Sequence, residues 1–300
     1  MRLQVKRINV RLYPDARKVI PRFFNTGNER SLALINRVLQ MPDNEANNLL
    51  LQVYKEFSDR YIDIRAILDK HFELIKRLLP QEKLHTVSKE KKLLIGSYFT
   101  MEYSLEHAAL FNPSIVEDPD QSGAAAGEKN VIVSFRATGE GHISSLLFKR
   151  GKLDKDAMIH FEPSGKYMNE GQVTQQNSKL KYDMLTMVNT GYELHFSADT
   201  LLSERVIFPI ALTEKNGIED ARFVKFIRED GSATYLATYT AYDGSFILPH
   251  VIETTDFLHF KMSPLRGNAA INKNLAIFPR KINGKYVMLS RIDGINNYIM

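Results

Sequence analysis

The spacing of apolar positions divides the chain into an N-terminal part with helical periodicity and a longer part of short β-rich runs. In "NEANNLLLQVYKEF" the apolar side chains recur at the i, i+3, i+4, i+7 spacing of one helix face: Leu50, Val53, Tyr54 and Phe57. "DIRAILDKHFELIKRLLP" repeats this stripe, with His71 as its only polar member. The pattern predicts a largely helical N-terminal extension over residues 1–92, in which His71 is a core or boundary histidine and not a ligand.

After about Leu93 the pattern changes to short runs bounded by Gly, Asp or Asn, such as "KNVIVSFRA", "RFVKFIRED" and "KYVMLSRIDG". "REDGSATYLATYTAYDG" and "RKINGKYVMLSRIDG" are weak internal copies, and their Asp243 and Asp293 stand about fifty positions apart, a period typical of propeller blades. A β-sandwich also gives regularly spaced short strands, so the pattern alone leaves both folds open. It predicts a mainly β domain over residues 93–300.

The number of strands limits how much of a propeller this chain can form. At the period above, residues 93–300 supply roughly three to four blades, and a propeller has to close to hide its sheet edges. We therefore expect an incomplete propeller, either a fragment or a domain that another chain completes. The helical extension is expected to cover another surface or to form a homo-oligomer interface.

Composition narrows the class of protein. Apolar residues make up 44% and charged residues 25% of the chain, as in ordinary soluble globular proteins. No window approaches the ~20 uninterrupted apolar residues of a membrane span, and the N-terminus lacks the apolar region of a signal peptide. The absence of cysteine excludes disulfides and thiolate metal sites. Together these features predict a cytoplasmic protein without a membrane partner.

Charge does not indicate a nucleic-acid partner. The net charge of +5 comes from 40 basic residues set against 35 acidic ones, and the basic clusters are scattered along the chain. A local basic pocket for an anion such as phosphate fits this balance equally well. The eight histidines show neither HExxH nor a close pairing, so no metal is expected, and no nucleotide-binding glycine motif or GxSxG elbow is present.

The remaining chemistry consists of acids, arginines and aromatic residues beside turns, in "FNPS", "SFRATGEGH", "NGIEDARF" and "YTAYDG". Carbohydrate sites need carboxylates and amides for hydroxyl groups, aromatic faces for ring C–H groups, and an acid for the leaving oxygen. A structural interpretation stands beside this one. Asn-Pro starts turns, Tyr-Asp-Gly closes hairpins, and arginine pairs with glutamate at strand edges.

Together these segments resemble, in order, motifs of glycoside hydrolase family 130, the β-mannoside phosphorylases and related β-mannosidases. The residues that carry the resemblance run from about Tyr98 to Met300: "EYSLEHAALFNPSIVEDPDQSG", "SFRATGEGHISSLLFKRG", "GIEDARFVKF", "YLATYTAYDG" and "NKNLAIFPRKINGKYVMLSRIDG". The resemblance implies a five-bladed β-propeller, incomplete in this chain. It is strongest to longer members with an N-terminal helical region, many of which are tied to β-1,2-linked mannosides.

The resemblance also implies roles for matching residues. Asp220 stands in the place of the catalytic acid, which donates its proton through the mannosyl 3-hydroxyl group to the glycosidic oxygen. Such an acid has to be held protonated near neutral pH, which Glu219 favours and Arg222 opposes. The positions expected to contact the sugar are Asn112, Arg136, Glu219, Arg222, Tyr242 and Asp243.

The resemblance implies phosphorolysis with inversion, in which inorganic phosphate is a co-substrate, no cofactor is needed, and α-mannose 1-phosphate is released. Lys273 and Arg291 match basic positions and are the predicted phosphate ligands. Thr240 and Ala241 stand where some phosphorylases have a basic residue, which leaves an alternative open. The alternative is an inverting β-mannosidase that uses water and a carboxylate base such as Glu253. An alternative of another class is a non-catalytic carbohydrate-binding module.

Overall fold

The computed structural model of the protein describes residues 7–79, 81–174 and 191–300, which form two compact units. One unit is Lys18–Ser104, and the other contains Leu105–Met300 together with the described residues before Lys18. The division falls later in the chain than the predicted boundary between residues 92 and 93. None of the helices in these ranges is long and apolar enough to cross a membrane.

The unit Lys18–Ser104 consists of helices and one pair of antiparallel strands, β1 and β2. Its elements are β1 (Val19–Phe23), α1 (Asn28–Gln40), α2 (Asp43–Phe57), α3 (Ile64–Ile75), α4 (Gln81–Leu84), α5 (Lys89–Tyr98) and β2 (Thr100–Ser104). The predicted apolar stripe is present on α3, whose buried residues are Ile64, Leu68, His71, Phe72 and Ile75.

Two helices of this unit approach each other very closely. A Cβ atom on Gly96 of α5 would lie 1.9 Å from the carbonyl oxygen of Leu68 on α3, so only glycine fits there. Side-chain caps fix the starts of both helices. The Asp63 carboxylate accepts a hydrogen bond from the Ala66 N–H at the start of α3, and Ser88 begins α5 in the same way.

His71 is a core histidine, as predicted, with only 3% of its surface exposed. The Thr100 hydroxyl donates to the carbonyl oxygen of Gly96 and therefore accepts the hydrogen bond from Nδ1–H of His71, 2.7 Å away. Burial, with smaller effects of the charges of Lys70 and Arg22, lowers the pKa of His71 to about 4. The imidazole is therefore neutral at physiological pH.

The second unit is built almost entirely of strands, which confirms the mainly β class. They are β3 (Ala109–Glu117), β4 (Lys129–Thr138), β5 (Ser144–Leu153), β6 (Ile159–Phe161), β7 (Gln172–Thr174), β8 (Tyr192–His195), β9 (Val206–Ile207), β10 (Gly217–Ile227), β11 (Ala233–Tyr242), β12 (Ile247–Thr254), β13 (His259–Pro264), β14 (Ala276–Ile277), β15 (Met288–Ser290) and β16 (Tyr298–Ile299).

Eleven of these strands form one sheet, in the order β3-β4-β5-β10-β11-β12-β13-β8-β7, with β6 and β9 added to β5. The path contains two antiparallel meanders, β3–β5 and β10–β13, which a single parallel pairing between Gly217 and Ser144 joins. Beyond β13 the path continues with β8 and β7, which pair antiparallel. Strands β14, β15 and β16 form a separate sheet. Among the described residues the path does not return on itself, so the five-bladed propeller stays a prediction.

Aromatic rings form the centre of the large core cluster. Phe148 of β5 stacks on Phe260 of β13 at 5.7 Å between ring centroids, and Phe257 meets both rings edge-on. Pairs of this kind contribute about 0.5–1.5 kcal/mol each beyond the burial of their area. Phe223 of β10 also packs on Phe148, so this cluster holds β5 and β10 together.

Candidate active site

Two strands of the sheet carry β-bulges that face each other. The regular pairing of β3 is interrupted after Phe111, and that of β10 is interrupted after Glu219. Each bulge contains a residue in the left-handed region of backbone space, Asn112 with φ 50° and Asp220 with φ 53°. Asn and Asp adopt this region more readily than most residues, and bulges redirect side chains from the regular alternation.

The side chains of the two bulges meet. Nδ2 of Asn112 donates a hydrogen bond to Oδ1 of Asp220 at 2.5 Å. Just beyond the bulges, the Ser114 hydroxyl accepts from the backbone N–H of Phe223 at 2.9 Å and ties β3 to β10. Two segments that are 108 residues apart in sequence are thus held against each other at the candidate acid.

Arg136 of β4 links both carboxylates of the "IED" segment. Its Nη2 lies 2.6 Å from Oε1 of Glu219, and its Nη1 lies 3.3 Å from Oδ1 of Asp220. Its guanidinium carbon is 5.0 Å from the centre of the Phe111 ring, the residue opposite Arg136 on β3. We call Asn112, Arg136, Glu219 and Asp220 the acid–arginine cluster.

Ser144, the first residue of β5, fixes the orientation of Arg136. Its fully buried hydroxyl accepts a hydrogen bond from Nε of Arg136 at 2.9 Å. A Cβ atom on Gly217 would lie 2.8 Å from Cβ of Ser144, so the start of β10 approaches β5 as closely as glycine allows. Ser144 was not among the predicted site residues, although it lies within the "GHISS" part of a quoted motif.

The cluster leaves one oxygen of the candidate acid available. Its three charged side chains are only 13–18% exposed, and they carry two negative charges and one positive charge. Both hydrogen bonds to the Asp220 carboxyl group come from described residues, Asn112 and Arg136, and both are made to Oδ1. Oδ2 is therefore the oxygen that can exchange a proton with a bound molecule.

Arg222 does not contact the acid. Its Nη1 donates to the carbonyl oxygen of Pro113 at 2.9 Å. The sequence predicts that Arg222 opposes protonation of Asp220, but in the structure Arg136 is the arginine that forms an ion pair with this carboxylate. The resemblance still gives Arg222 a role in sugar binding, and that role stays a prediction.

Tyr242 and Asp243 lie beside the cluster at the end of β11. Tyr242 pairs with Gly217 at the start of β10. The Asp243 carboxylate accepts from the backbone N–H groups of Phe246 and Ser245, both at 2.7 Å, and these bonds lower its pKa. The structural interpretation of "YDG" as a hairpin turn is therefore correct, and the sugar contacts of both residues stay predictions.

The predicted phosphate ligands lie in the C-terminal segment. Lys273 is exposed ahead of β14, and its backbone N–H bonds to the side chain of Asn272. Arg291 donates to the carbonyl oxygen of Gly294 within its own turn at 2.6 Å. The contacts of the described residues connect neither cation to the acid–arginine cluster, so their roles stay predictions.

Glu253, the candidate base of a hydrolase, is placed away from the cluster. It lies opposite Leu236 on β11, whereas Glu219 lies opposite Thr240. At about 3.3 Å per residue this separates the two positions by roughly 13 Å along the strand. Glu253 is instead paired with Arg228 at 2.6 Å.

A second carboxylate, Glu214, was missed by the sequence analysis. It is completely buried and accepts hydrogen bonds from the hydroxyls of Tyr239 (2.6 Å) and Tyr192 (3.0 Å) and from the backbone N–H groups of Ile210 and Ala211 (3.1 Å each). Burial raises the pKa of both tyrosines, and the Glu214 charge raises it further, so they stay protonated donors.

Within the described ranges, no group of three or more His, Asp or Glu residues is arranged to hold a metal ion.

Comparisons with known proteins agree with the motifs. The family model described as beta-1,4-mannooligosaccharide phosphorylase, of glycoside hydrolase family 130, matches residues 179–300. The predicted resemblance to this family is thereby confirmed over that part of the chain, which contains β10 and the Glu219–Asp220 pair. No curated protein sequence gives a significant match.

Solved structures that resemble the chain do so at low identity. They include a glycosyl hydrolase from Bacteroides ovatus (16% identity, 63% of this chain and 46% of that chain, TM-score 0.36). Another is the beta-1,2-mannobiose phosphorylase from Listeria innocua (19% identity, 66% and 56%, TM-score 0.32). A third comes from the GH130 family of mannoside phosphorylases, which contains glycoside hydrolases that target beta-1,2 mannosidic linkages in Candida mannan (14% identity, 66% and 50%, TM-score 0.35). The chain spans about half the length of these structures.

Proposed function

We propose that the protein is an inverting phosphorylase of β-mannosides, with β-1,2-linked manno-oligosaccharides as its substrates and Asp220 as its catalytic acid. The observation that carries the proposal is the convergence of Asn112, Arg136 and Glu219 on Asp220. This convergence occurs in a chain whose residues 179–300 match a mannooligosaccharide phosphorylase family.

In the proposed reaction Asp220 donates its proton from Oδ2, through the mannosyl 3-hydroxyl group, to the glycosidic oxygen. The C1–O bond to the leaving sugar breaks as an oxygen of inorganic phosphate bonds to C1 from the opposite face. The product is α-mannose 1-phosphate, and the proton ends on the released sugar. Asn112 and Arg136 hold Oδ1, so only Oδ2 is directed to the substrate.

Arg136 is shared between the two carboxyl groups of the cluster. It is 2.6 Å from Glu219 and 3.3 Å from Asp220, so its closer ion pair is with Glu219. One guanidinium therefore anchors Glu219 and positions Oδ1 of Asp220 at the same time.

The nucleophile is proposed to be phosphate, with Lys273 and Arg291 among its ligands and no cofactor. The observation that favours hydrolysis instead is the pair Thr240 and Ala241, which occupies a position that is basic in some phosphorylases. Both residues are buried in β11, with 2% and 0% of their surface exposed. We further propose that the complete protein forms a five-bladed propeller and acts in the cytoplasm.

Product analysis tests this function. The protein is incubated with β-1,2-mannobiose, and separately with β-1,4-mannobiose, in the presence and absence of inorganic phosphate. The proposal predicts α-mannose 1-phosphate from the β-1,2-linked substrate only when phosphate is present. Free mannose formed at equal rates without phosphate would show a hydrolase, and binding without turnover of either substrate would show a non-catalytic module.

A further inference from the structure

The second unit, which contains the large sheet, also has a polar cavity whose lining residues have no part in the proposed reaction. Its volume is about 330 Å³. This is at the lower end of the range of small-molecule sites, about 300–1,000 Å³. We call it the two-arginine pocket, after its lining by Arg150 and Arg205; its other polar lining residues are Thr200, Ser203, Glu162, Asp199 and Asp256.

Arg205 is a buried cation at this pocket, with 7% of its surface exposed. Its three nitrogens donate to neutral oxygens: the Thr200 hydroxyl at 3.0 Å, the Thr200 carbonyl at 2.5 Å and the Phe257 carbonyl at 2.9 Å. Among the residues that the structure describes, no carboxylate lies within ion-pair distance of Arg205. Asp256 and Glu204 act on its charge from beyond ion-pair distance. A buried charge that no carboxylate contacts is costly, so an anion in the pocket would stabilise it.

Arg150 adds a second positive charge. It lies on β5, and its Nε donates to Oδ2 of the buried Asp118 at 2.5 Å, while 38% of its side chain stays exposed. Burial lowers the pKa of Arg205, and the Arg150 charge lowers it further, against the opposite effects of Asp256 and Glu204. Both arginines therefore lie close enough for their charges to repel each other.

The pocket is separate from the acid–arginine cluster. Arg150 is six positions along β5 from Ser144, which holds Arg136. At about 3.3 Å per residue this is roughly 20 Å. A molecule bound at one of these places does not contact the side chains of the other.

The mouth of the pocket has a different character. Glu162 and Asp199 are exposed there, and the backbone N–H of Glu162 bonds to the Arg150 carbonyl, which places this acid beside the cation. Carboxylates accept hydrogen bonds from hydroxyl groups, and paired guanidiniums match the oxygens of a phosphate group. The lining thus offers cations for a phosphate group and acceptors for the hydroxyl groups of a sugar.

We propose that the two-arginine pocket is a second ligand site, which binds a phosphate group, carried either by a sugar phosphate or by inorganic phosphate. The phosphate lies against Arg150 and Arg205, and the hydroxyls of a sugar phosphate reach Glu162 and Asp199. This site does not depend on the proposed phosphorylase reaction, because none of its residues belongs to the acid–arginine cluster.

Calorimetric titration with inorganic phosphate, mannose 1-phosphate and mannose tests the proposal. Both phosphates are expected to bind the wild-type protein, and Arg150→Gln is expected to weaken them about tenfold or more. Tighter binding of the sugar phosphate identifies it as the ligand, and equal binding identifies inorganic phosphate. Lys152→Gln is the matched control, since Lys152 is also an ion-paired cation on β5 but does not line the pocket, and it should bind as the wild type does.

Arg150→Gln leaves the buried Asp118 without its partner, so the folded fraction is measured first. Glu162→Gln removes an exposed acid at the mouth instead and is expected to tighten phosphate binding severalfold. The proposal is wrong if the wild type binds neither phosphate, or if mannose binds as well as the phosphates do. It is also wrong if Arg136→Gln weakens binding while Arg150→Gln does not, or if Glu162→Gln leaves binding unchanged.

Discussion

Glu214 and Asp220 are two carboxylates only six positions apart in sequence, yet they occupy opposite kinds of environment. Glu214 is completely buried, and four donors from three segments satisfy its two oxygens. Asp220 is partly exposed, sits at a positive φ, and receives the hydrogen bonds of Asn112 and Arg136 on one oxygen. The first arrangement stabilises the fold, and the second leaves the other oxygen without a hydrogen-bond partner among the described residues.

The two carboxylates also differ in how much stability the protein would lose if each were removed. Removing Glu214 would leave buried donors without acceptors, which is costly in a protein interior. Replacing Asp220 by glycine would relieve backbone strain and leave Arg136 paired with Glu219. Backbone strain that the surrounding structure maintains at a partly exposed polar cluster is typical of functional sites. The comparison therefore assigns structure to Glu214 and supports the chemical role that we propose for Asp220.

The largest expected effect on stability is that of Glu214→Ala. It should lower the free energy of unfolding by about 3–5 kcal/mol, because two tyrosine hydroxyls and two backbone N–H groups lose their acceptor. Glu214→Gln is the matched variant and should cost less, since the tyrosine hydroxyls can rotate to accept from the amide. Chemical denaturation measures both values. Equal stability of Glu214→Ala and the wild type would show that Glu214 does not stabilise the fold.

His71 extends the comparison to a buried group that is neutral. Its folded-state pKa of about 4 is below the ordinary 6.5, so the unfolded chain binds the proton more tightly. Stability contributed by neutral His71 is therefore complete above pH 6.5 and is lost as the pH falls towards 4, by about 1–3 kcal/mol. Unfolding measured across this window should depend less on pH in His71→Gln than in the wild type. Identical pH dependence of the two proteins would contradict the assignment.

Asp220→Gly tests the strain at the bulge. The free energy of unfolding should change by no more than about 1 kcal/mol, because relief of the left-handed conformation offsets the lost hydrogen bonds. Ala221→Gly is the control at the next position, which has no positive φ, and it should destabilise the protein by about 1 kcal/mol or more. A larger loss for Asp220→Gly than for Ala221→Gly would mean that Asp220 is mainly structural.

The smallest expected effect is that of Arg222→Ala. Its guanidinium donates to one backbone carbonyl, that of Pro113, so its loss should change stability by about 0.5–1 kcal/mol. Arg136→Ala should cost more, since Arg136 pairs with two carboxylates and bonds to Ser144. Thermal denaturation of the two variants compares them directly, and the reverse order would show that Arg222 holds the site.

The sequence was most informative where a local pattern determines the structure. The stripe on α3 is readable because its period is that of a helix, and the members of the acid–arginine cluster all lie in quoted motifs. The direction of the Arg222 side chain could not be predicted from the sequence. In a regular strand positions 220 and 222 share a face, but the extra residue between Glu219 and Arg222 breaks this alternation.

Glu214 and Ser144 could not be predicted for a related reason. The donors to Glu214 come from three segments that only the fold brings together, so no spacing in the sequence predicts these contacts. Ser144 gains its role from the approach of Gly217, a contact between strands that are distant in sequence. Local periodicity predicts elements and motifs, whereas such contacts depend on the register of the whole sheet.

The central claim is that Asp220 serves chemistry and not stability, and Asp220→Asn tests it most directly. The measurement pairs the turnover of β-1,2-mannobiose with phosphate and the free energy of unfolding, for this variant and the wild type. Turnover should fall at least about a hundredfold, because an amide cannot donate the acid's proton, while stability stays within about 1 kcal/mol. Turnover retained at the wild-type level, with a large loss of stability, would contradict the claim.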